Sequence, residues 1–156
     1  MLNLTLRPIQ PDDAPALRAG CWPDLTPEDA ESRVENLCRW QQRGRGQGVV
    51  ASVDGQIVGT GQLMLWNGRG EISDLIVAPA WRGRGIGTAI IHHLLAAARD
   101  SHLAVVEIGV AEANPRAFAL YRRLGFRESR RVMLNLGAGP EPVIYLDYPL
   151  VEPHRE

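Results

Sequence analysis

The six residues Arg82-Gly83-Arg84-Gly85-Ile86-Gly87 stand between a strand-like run, Glu71 to Val77, and a stretch whose apolar residues recur at helical spacing. A strand, a glycine-rich turn and a helix start, in that order, build an anion site. The first N–H groups of a helix have no partner within it and together carry roughly half a positive charge, so a loop with three glycines can close around a diphosphate. Similar letters recur at Arg43-Gly44-Arg45-Gly46-Gln47-Gly48. That second run leaves a helix and enters a strand, so no free helix amides face a ligand there, and it reads as a connection. The first run is not a dinucleotide fingerprint either. Thr88 stands where Gly-x-Gly-x-x-Gly needs its last glycine, and the run follows four strands instead of opening a βαβ unit.

The chain has 156 residues, enough for one domain, 1–156, around one core. Its net charge is −1 and its basic residues are spread along the sequence, which gives no nucleic-acid footprint. No signal-like apolar block or membrane-length apolar span occurs, so the expectation is a cytoplasmic protein that acts on a small molecule or peptide, without nucleic acid or membrane as partner. All 17 basic residues are arginine. Without lysine, a Walker-type phosphate loop and Schiff-base chemistry are both excluded. Cys21 and Cys38 lack metal-ligand spacing and read as buried small hydrophobes, with neither a zinc site nor a disulfide expected.

These residues must be held by elements that the patterning also suggests. Leu2, Leu4 and Leu6 alternate with polar residues and end as a strand before Pro8; residues 12 to 20 read as a short helix. Thr26 and Pro27 start a second helix, with an apolar stripe of Ala30, Val34, Leu37 and Cys38. Strands follow at 49–53, 57–66 and 70–77, joined by tight turns at Asp54-Gly55 and Asn67-Gly68. A helix from Gly85 to Arg99 buries Ile90, Ile91, Leu94, Leu95 and Ala98; then come a strand at 103–110, a helix from Asn114 to Leu124 closed by Gly125, and strands at 127–136 and 143–150. The order β-α-α-β-β-β-α-β-α-β-β implies an α/β mixed sheet with helices on both faces.

The helix after the fifth strand carries Asn114-Pro-Arg-Ala117-Phe118-Ala-Leu-Tyr121-Arg-Arg-Leu-Gly125-Phe126. Together with Arg82-x-x-Gly85-x-Gly87, this Asn-x-x-Ala-x-x-x-Tyr-x-x-x-Gly-Phe pattern resembles the GNAT superfamily of acetyl-CoA-dependent N-acetyltransferases. The close match covers about residues 70 to 126, and the element order outside it also fits. The resemblance implies a central, mostly antiparallel twisted sheet of six to seven strands whose central parallel pair splays apart. It implies that the diphosphate belongs to coenzyme A. The amides of Arg82, Gly83, Arg84, Gly85, Ile86 and Gly87, with the Thr88 hydroxyl, would hold it. Leu75, Ile76 and Val77 would pair with the pantetheine arm as an added strand, while Asn114 and Phe118 would meet the arm further along.

For chemistry, the resemblance offers Tyr121 as the proton donor to the departing sulfur and an N–H near Ile76 as donor to the thioester carbonyl. A phenol titrates near 10 and a thiol near 8.5, so unassisted proton transfer is uphill by about 2 kcal/mol. For the base, Glu71 occupies the position where some members carry a catalytic glutamate. Asp74 is an alternative, turned by strand alternation to the other face of the sheet, and a water chain without a single base is a third. His92, His93 and His102 read as surface positions, since neighbours on a helix project about 100° apart. Of Arg122, Arg123, Arg127, Arg130 and Arg131, one or two would reach coenzyme phosphates and the rest would be solvated. The acidic set Asp12, Asp13, Asp24, Glu28, Asp29, Glu31 and Glu35 would suit a cationic amine acceptor or simply helix N-termini, with Trp22 as a lid. A homodimer through the last strands also belongs to the resemblance, no metal is implied, and a non-catalytic acyl-CoA-binding sensor is the alternative function.

Overall fold

The computed structural model describes residues 3–150; Met1, Leu2 and residues 151–156 lie outside them. The elements are β1 (Leu4–Pro8), α1 (Ala14–Gly20), α2 (Pro27–Gln42), β2 (Gly46–Val53), β3 (Gln56–Trp66), β4 (Arg69–Val77), α3 (Ile86–Asp100), β5 (Val105–Ala111), α4 (Pro115–Arg123), β6 (Arg127–Asn135) and β7 (Pro140–Pro149). Short 3₁₀ turns precede α1 at Pro11–Asp13 and α3 at Pro79–Trp81. The expected order is kept, and the helix read over 12–20 begins with a 3₁₀ turn. Local signals act as their chemistry requires. The Thr26 hydroxyl accepts the Asp29 N–H at 3.1 Å, which caps α2 ahead of Pro27. Asp54-Gly55 and Asn67-Gly68 both carry positive φ at each position, the requirement of a type I′ hairpin turn.

Among the described residues seven strands form one sheet, in the order β1-β2-β3-β4-β5-β7-β6. Among the described residues only β4 and β5 are parallel; the other neighbours are antiparallel. α3 and α4 cover one face, where Ile86, Ile90, Ile91, Leu94 and Tyr121 pack with Leu63, Ile72, Val106 and Ile108. α1 and α2 cover the other, through Leu17, Ala30, Val34 and Leu37 against Val50 and Ile9. This is the α/β mixed sheet with helices on both faces that the sequence pattern implies. β6 forms an edge and is exposed almost throughout.

The parallel pair is short. β4 and β5 are in register from Arg69↔Val105 to Ile72↔Ile108 and then part, although β4 continues to Val77 and β5 to Ala111. The cause lies on the other side of β4. Ser73 pairs with Gln62 and Ile76 with Thr60, so Asp74 and Leu75 together oppose the single residue Gly61. Such a bulge bends its strand and raises its twist, and Asp74 takes the left-handed φ of +50° that the extra residue demands. The splay expected from the family resemblance is therefore present and has a local origin.

Two glycines on β3 let α3 approach the bulged strand. A Cβ on Gly61 would stand 2.9 Å from Ile90 Cγ2, and one on Gly59 would stand 3.1 Å from Ile90 Cδ1. Gly61→Ala should therefore overpack the α3 interface, costing about 1–3 kcal/mol. Thermal unfolding checks this: a lowered Tm is expected, and an unchanged Tm would contradict the packing.

Candidate functional site

The loop after β4 ends in a helix with no side-chain cap. Gly85 is the N-cap of α3 with φ +83°, and Gly83 has φ +76°. A Cβ on either would meet no atom within 4 Å, so these two glycines are needed for backbone conformation and their outer side is open. The first bond of the helix is donated by Ala89 to Gly85 O at 3.0 Å. The N–H groups of Ile86, Gly87 and Thr88 precede it and have no partner within the helix. They face a cleft of about 430 Å³ lined by Val77, Trp81, Arg82, Gly83, Gly85, Ile86, Gly87 and Thr88 on one side and by Arg116, Leu120 and Arg123 of α4 on the other. Open amides, a helix N-terminus and arginines, with no carboxylate in the lining among the described residues, fit a polyphosphate.

The lookalike run has the opposite economy. Arg43, Gly44 and Arg45 donate their N–H groups to the last carbonyls of α2, and Gly48 donates to the Gln41 side chain at 2.9 Å. Amides already bound to the fold make no anion cradle.

Between the parted strands the backbone direction is set by pairing. Ala78 donates to Val58 O on β3 at 2.8 Å, and peptide groups along a strand alternate in direction. Ile76 is thereby turned toward its partner Thr60 on β3, while the backbone groups of Leu75 and Val77 face the gap beside β5. Near Ile76, it is Leu75 and Val77 whose backbone groups are turned away from β3. Side chains divide the other way: Leu75 and Val77 pack on the α3 side and Ile76 on the α2 side.

Tyr121 comes from α4. The helix is N-capped by the Asn114 side chain, which accepts the Ala117 N–H at 3.2 Å, and ends at Gly125 with φ +106°. Capping occupies Asn114 Oδ1 and leaves its amide N–H groups for other partners. Tyr121 is 8% exposed, packed at 6.2 Å from the Phe126 ring, and burial pushes its phenol above the ordinary value. Phe118, one turn earlier, is half-buried on the same core.

Glu71 lies on the opposite face, toward α1 and α2, in register with Glu107 of β5. Glu107 is 4% exposed and is held by Arg130, at 2.7 and 3.1 Å, and by Arg69 at 3.5 Å. Arg130 also stacks over Tyr145, 4.3 Å from the ring centre. Partial burial, then the nearby Glu107 carboxylate, raise the Glu71 pKa; Arg130 opposes them and Asp74 adds to them.

The bulge corrects the placement of Asp74. Simple alternation puts it opposite Glu71, but the extra residue turns it to the α2 face. There it lines a groove of about 330 Å³ with Asp29, Ser32, Arg33, Asn36, Leu37, Trp40 and Gln62. Asp13, expected among the acids available to an acceptor, is instead 6% exposed and committed to the fold. It accepts two bonds from Arg7, at 2.7 and 2.8 Å, and the Gln10 N–H at 2.7 Å. Burial alone would raise its pKa, and these bonds outweigh it and lower it. Trp22 is also corrected: at 4% exposed, with Arg33 over its ring at 5.0 Å, it is core under α1 and α2 and not a lid. Cys21 is buried, and burial lifts its thiol to about 11; Cys38 is only half-buried. His92 and His102 are exposed and His93 is half-buried.

Four contributors were not singled out by the motifs. Trp81, Arg116 and Leu120 line the cleft, and Glu107 sits beside Glu71. The spacing of Arg116, Leu120 and Arg123 was a readable signal, a helical stripe at i, i+4 and i+7. The Glu71↔Glu107 register was not, because a parallel pairing leaves no local trace in sequence.

A parted parallel pair beside a glycine cradle is the arrangement that the family resemblance implies. The family profile described as "Acetyltransferase (GNAT) family" matches residues 14–126, and the chain belongs to that family. Over 128 residues it is 31% identical to an uncharacterized N-acetyltransferase of Mycobacterium tuberculosis, covering 78% of this chain and 82% of the other. It is 30% identical over 142 residues to the aminoglycoside N(6')-acetyltransferase type 1 of Stenotrophomonas maltophilia, covering 83% and 90%. In structure it resembles RimL, a ribosomal L7/L12 alpha-N-protein acetyltransferase solved in complex with coenzyme A, with a TM-score of 0.83, 18% identity, and coverage of 94% and 93%.

The carboxylate pair yields a direct check. Glu107→Gln removes the neighbouring charge and frees Arg130, so the Glu71 pKa should fall, while loss of the ion pair costs about 2 kcal/mol. Titration of the Glu71 carboxyl by NMR and urea unfolding read the two effects; a Glu71 pKa that stays put would refute the coupling.

Proposed function

We propose that this chain transfers an acetyl group from acetyl-CoA to a primary amine of a small molecule or peptide, by direct attack while both substrates are bound. The observation that carries this reading is the gap between β4 and β5, with Tyr121 packed on one face of the sheet and Glu71 open to the other. Acetyl-CoA supplies a thioester, an acyl group already activated toward an amine.

The chain's residues act on it from both sides. Amides of Arg82 to Gly87, with the Thr88 hydroxyl, bind the diphosphate, and the gap-facing groups of Leu75 and Val77 pair with the arm as an added strand. Ile76 supports this segment from the α2 side, and Phe118 and the Asn114 amide meet the arm from α4. The Leu75 N–H donates to the carbonyl oxygen as it gains charge, worth on the order of 3 kcal/mol. Tyr121 keeps its proton across the neutral range because burial raises its pKa, and it delivers that proton to the departing sulfur. The same apolar surroundings raise the pKa of a thiol held there, which offsets the rise at the phenol.

Glu71 removes the proton from the amine. Its raised pKa brings it closer to neutrality, where a general base is most effective. The groove beside it, with Asp29 and Asp74 in its lining, suits a cationic acceptor, and one relative carries the name of an aminoglycoside acetyltransferase.

Release of coenzyme A thiol, measured with a panel of amines, tests the proposal. Tyr121→Phe should lower kcat about 100-fold while acetyl-CoA binds within a few-fold of wild type; full activity of this variant would overturn its role. The base form of Glu71 exists above its raised pKa, so kcat/KM should fall as pH drops through that value. Glu71→Gln should abolish this acid limb and most of the rate. A limb that persists in Glu71→Gln would assign the base elsewhere.

A further inference from the structure

On the face toward α1 and α2 the mouth of the gap has a second wall. α1 packs on β3 and α2 on β2, and past β4 this face carries Glu71 and Tyr145, both half-buried, and the exposed Gly109. Gly109 is the first residue of β5 beyond its pairing with β4, two residues on from Glu107 and so roughly 7 Å along the strand. It stands opposite Tyr145 of β7. A Cβ on Gly109 would lie 3.0 Å from Tyr145 Cε1, 3.3 Å from Cζ and 3.4 Å from Cδ1, so the ring lies across the glycine with its hydroxyl end over β5. Any larger residue would crowd the ring from that seat. Arg130 holds the ring as well, with its guanidinium 4.3 Å from the ring centre and forked onto Glu107.

Glu71 thus borders the opening from β4, and the Tyr145 hydroxyl borders it from β5. After burial, the Glu71 carboxylate is the chief influence that raises the Tyr145 pKa; Glu107 adds to it and Arg130 opposes it. The phenol stays neutral in the neutral range, and its oxygen has no hydrogen-bond partner among the described residues. Packing accounts for the ring and leaves the oxygen unused.

A neutral primary amine has two N–H groups and one lone pair, arranged tetrahedrally with its carbon. When both N–H groups donate to acceptors at the mouth, the lone pair points into the gap. We propose that Tyr145 orients the acceptor: its oxygen accepts one amine N–H while Glu71 accepts the other, which aims the lone pair at the thioester and makes the protein selective for primary over secondary amines. The proposal rests on the acetyl-transfer reading and adds the residue that selects the class of amine. As nitrogen bonds to the acyl carbon and the C–S bond breaks, Glu71 takes the proton that it holds and Tyr121 protonates the sulfur. The N–H held by Tyr145 stays on nitrogen and becomes the N–H of the amide product. An N-methyl amine has a single N–H, which Glu71 requires, and so makes no use of Tyr145.

Release of coenzyme A thiol is measured with the primary amine that wild type turns over fastest and with the N-methyl derivative of that amine. Wild type should favour the primary amine about 10-fold in kcat/KM, the worth of one well-placed hydrogen bond. Tyr145→Phe, which keeps the ring on Gly109 and beside Arg130, should lower kcat/KM for the primary amine about 5- to 10-fold and change that for the N-methyl amine by less than about 2-fold. Its Tm, its Kd for acetyl-CoA and the acid limb of its pH profile should be those of wild type. Gly109→Ala tests the placement with every polar group intact, since displacing the ring should cause the same selective loss; an unchanged preference in this variant would contradict the seat. Equal losses for both amines in Tyr145→Phe would mark a merely structural role and overturn the proposal. No loss for either amine would overturn it too, as would a wild type that treats the two alike. Wild-type protein that binds acetyl-CoA and acetylates no amine would instead remove the transfer reading itself.

Discussion

The structure depends on one interruption: β4 and β5 stop pairing after Ile72 and Ile108. Backbone N–H and C=O groups are obligatory hydrogen-bonding groups, and a sheet that opens in its middle leaves a row of them without a strand partner. An unpaired buried group costs about 1–3 kcal/mol, so an extended ligand that fills the row converts a deficit of the free protein into binding energy. The bulge at Asp74 and Leu75 makes the opening, and the close seat of α3 on Gly59 and Gly61 holds the bulged strand and the glycine loop as one unit. The anion cradle and the gap are thus two ends of the same β4–α3 connection.

The bulge also sorts side chains between two chemically different faces. Toward α3 and α4 the gap is bordered by Leu75, Val77 and the buried ring of Tyr121, an apolar setting in which a phenol stays protonated. Toward α1 and α2 it is bordered by Glu71, Asp74 and the Glu107 pair with Arg69 and Arg130. A buried glutamate held by two arginines is weak evidence for stability, but its charge beside Glu71 has a use. After burial, it adds to what holds the Glu71 carboxyl above its ordinary value. Tyr121 and Glu71, the proposed proton donor and acceptor, lie on opposite faces of the sheet.

Much of this was legible in the sequence because its causes are local. Thr26 and Pro27, Asn114 and Gly125, the Asp54-Gly55 and Asn67-Gly68 turns, and the strand–glycine–helix run at 82–87 each specify their geometry within a few residues. Comparing the two glycine runs by context also separated the one with free amides from the one whose amides are spent on α2. What could not be read were consequences of pairing across the sheet. Alternation placed Asp74 on the wrong face because one extra residue opposite Gly61 has no signature in β4 alone. The Glu71↔Glu107 neighbourhood depends on a parallel register, and Trp22 was drawn into the core by α1 and α2 packing that its own loop sequence does not announce.

Amide hydrogen exchange with and without acetyl-CoA tests the central claim most directly, since it reads the backbone groups of the gap one by one. The account requires strong added protection at Leu75 and Val77 and at Ile86 to Thr88, with little change at Ile76, already bonded to β3, or along the exposed β6 edge. Saturating ligand that leaves Leu75 and Val77 exchanging as before, or that protects the sheet uniformly, would show that nothing threads between β4 and β5.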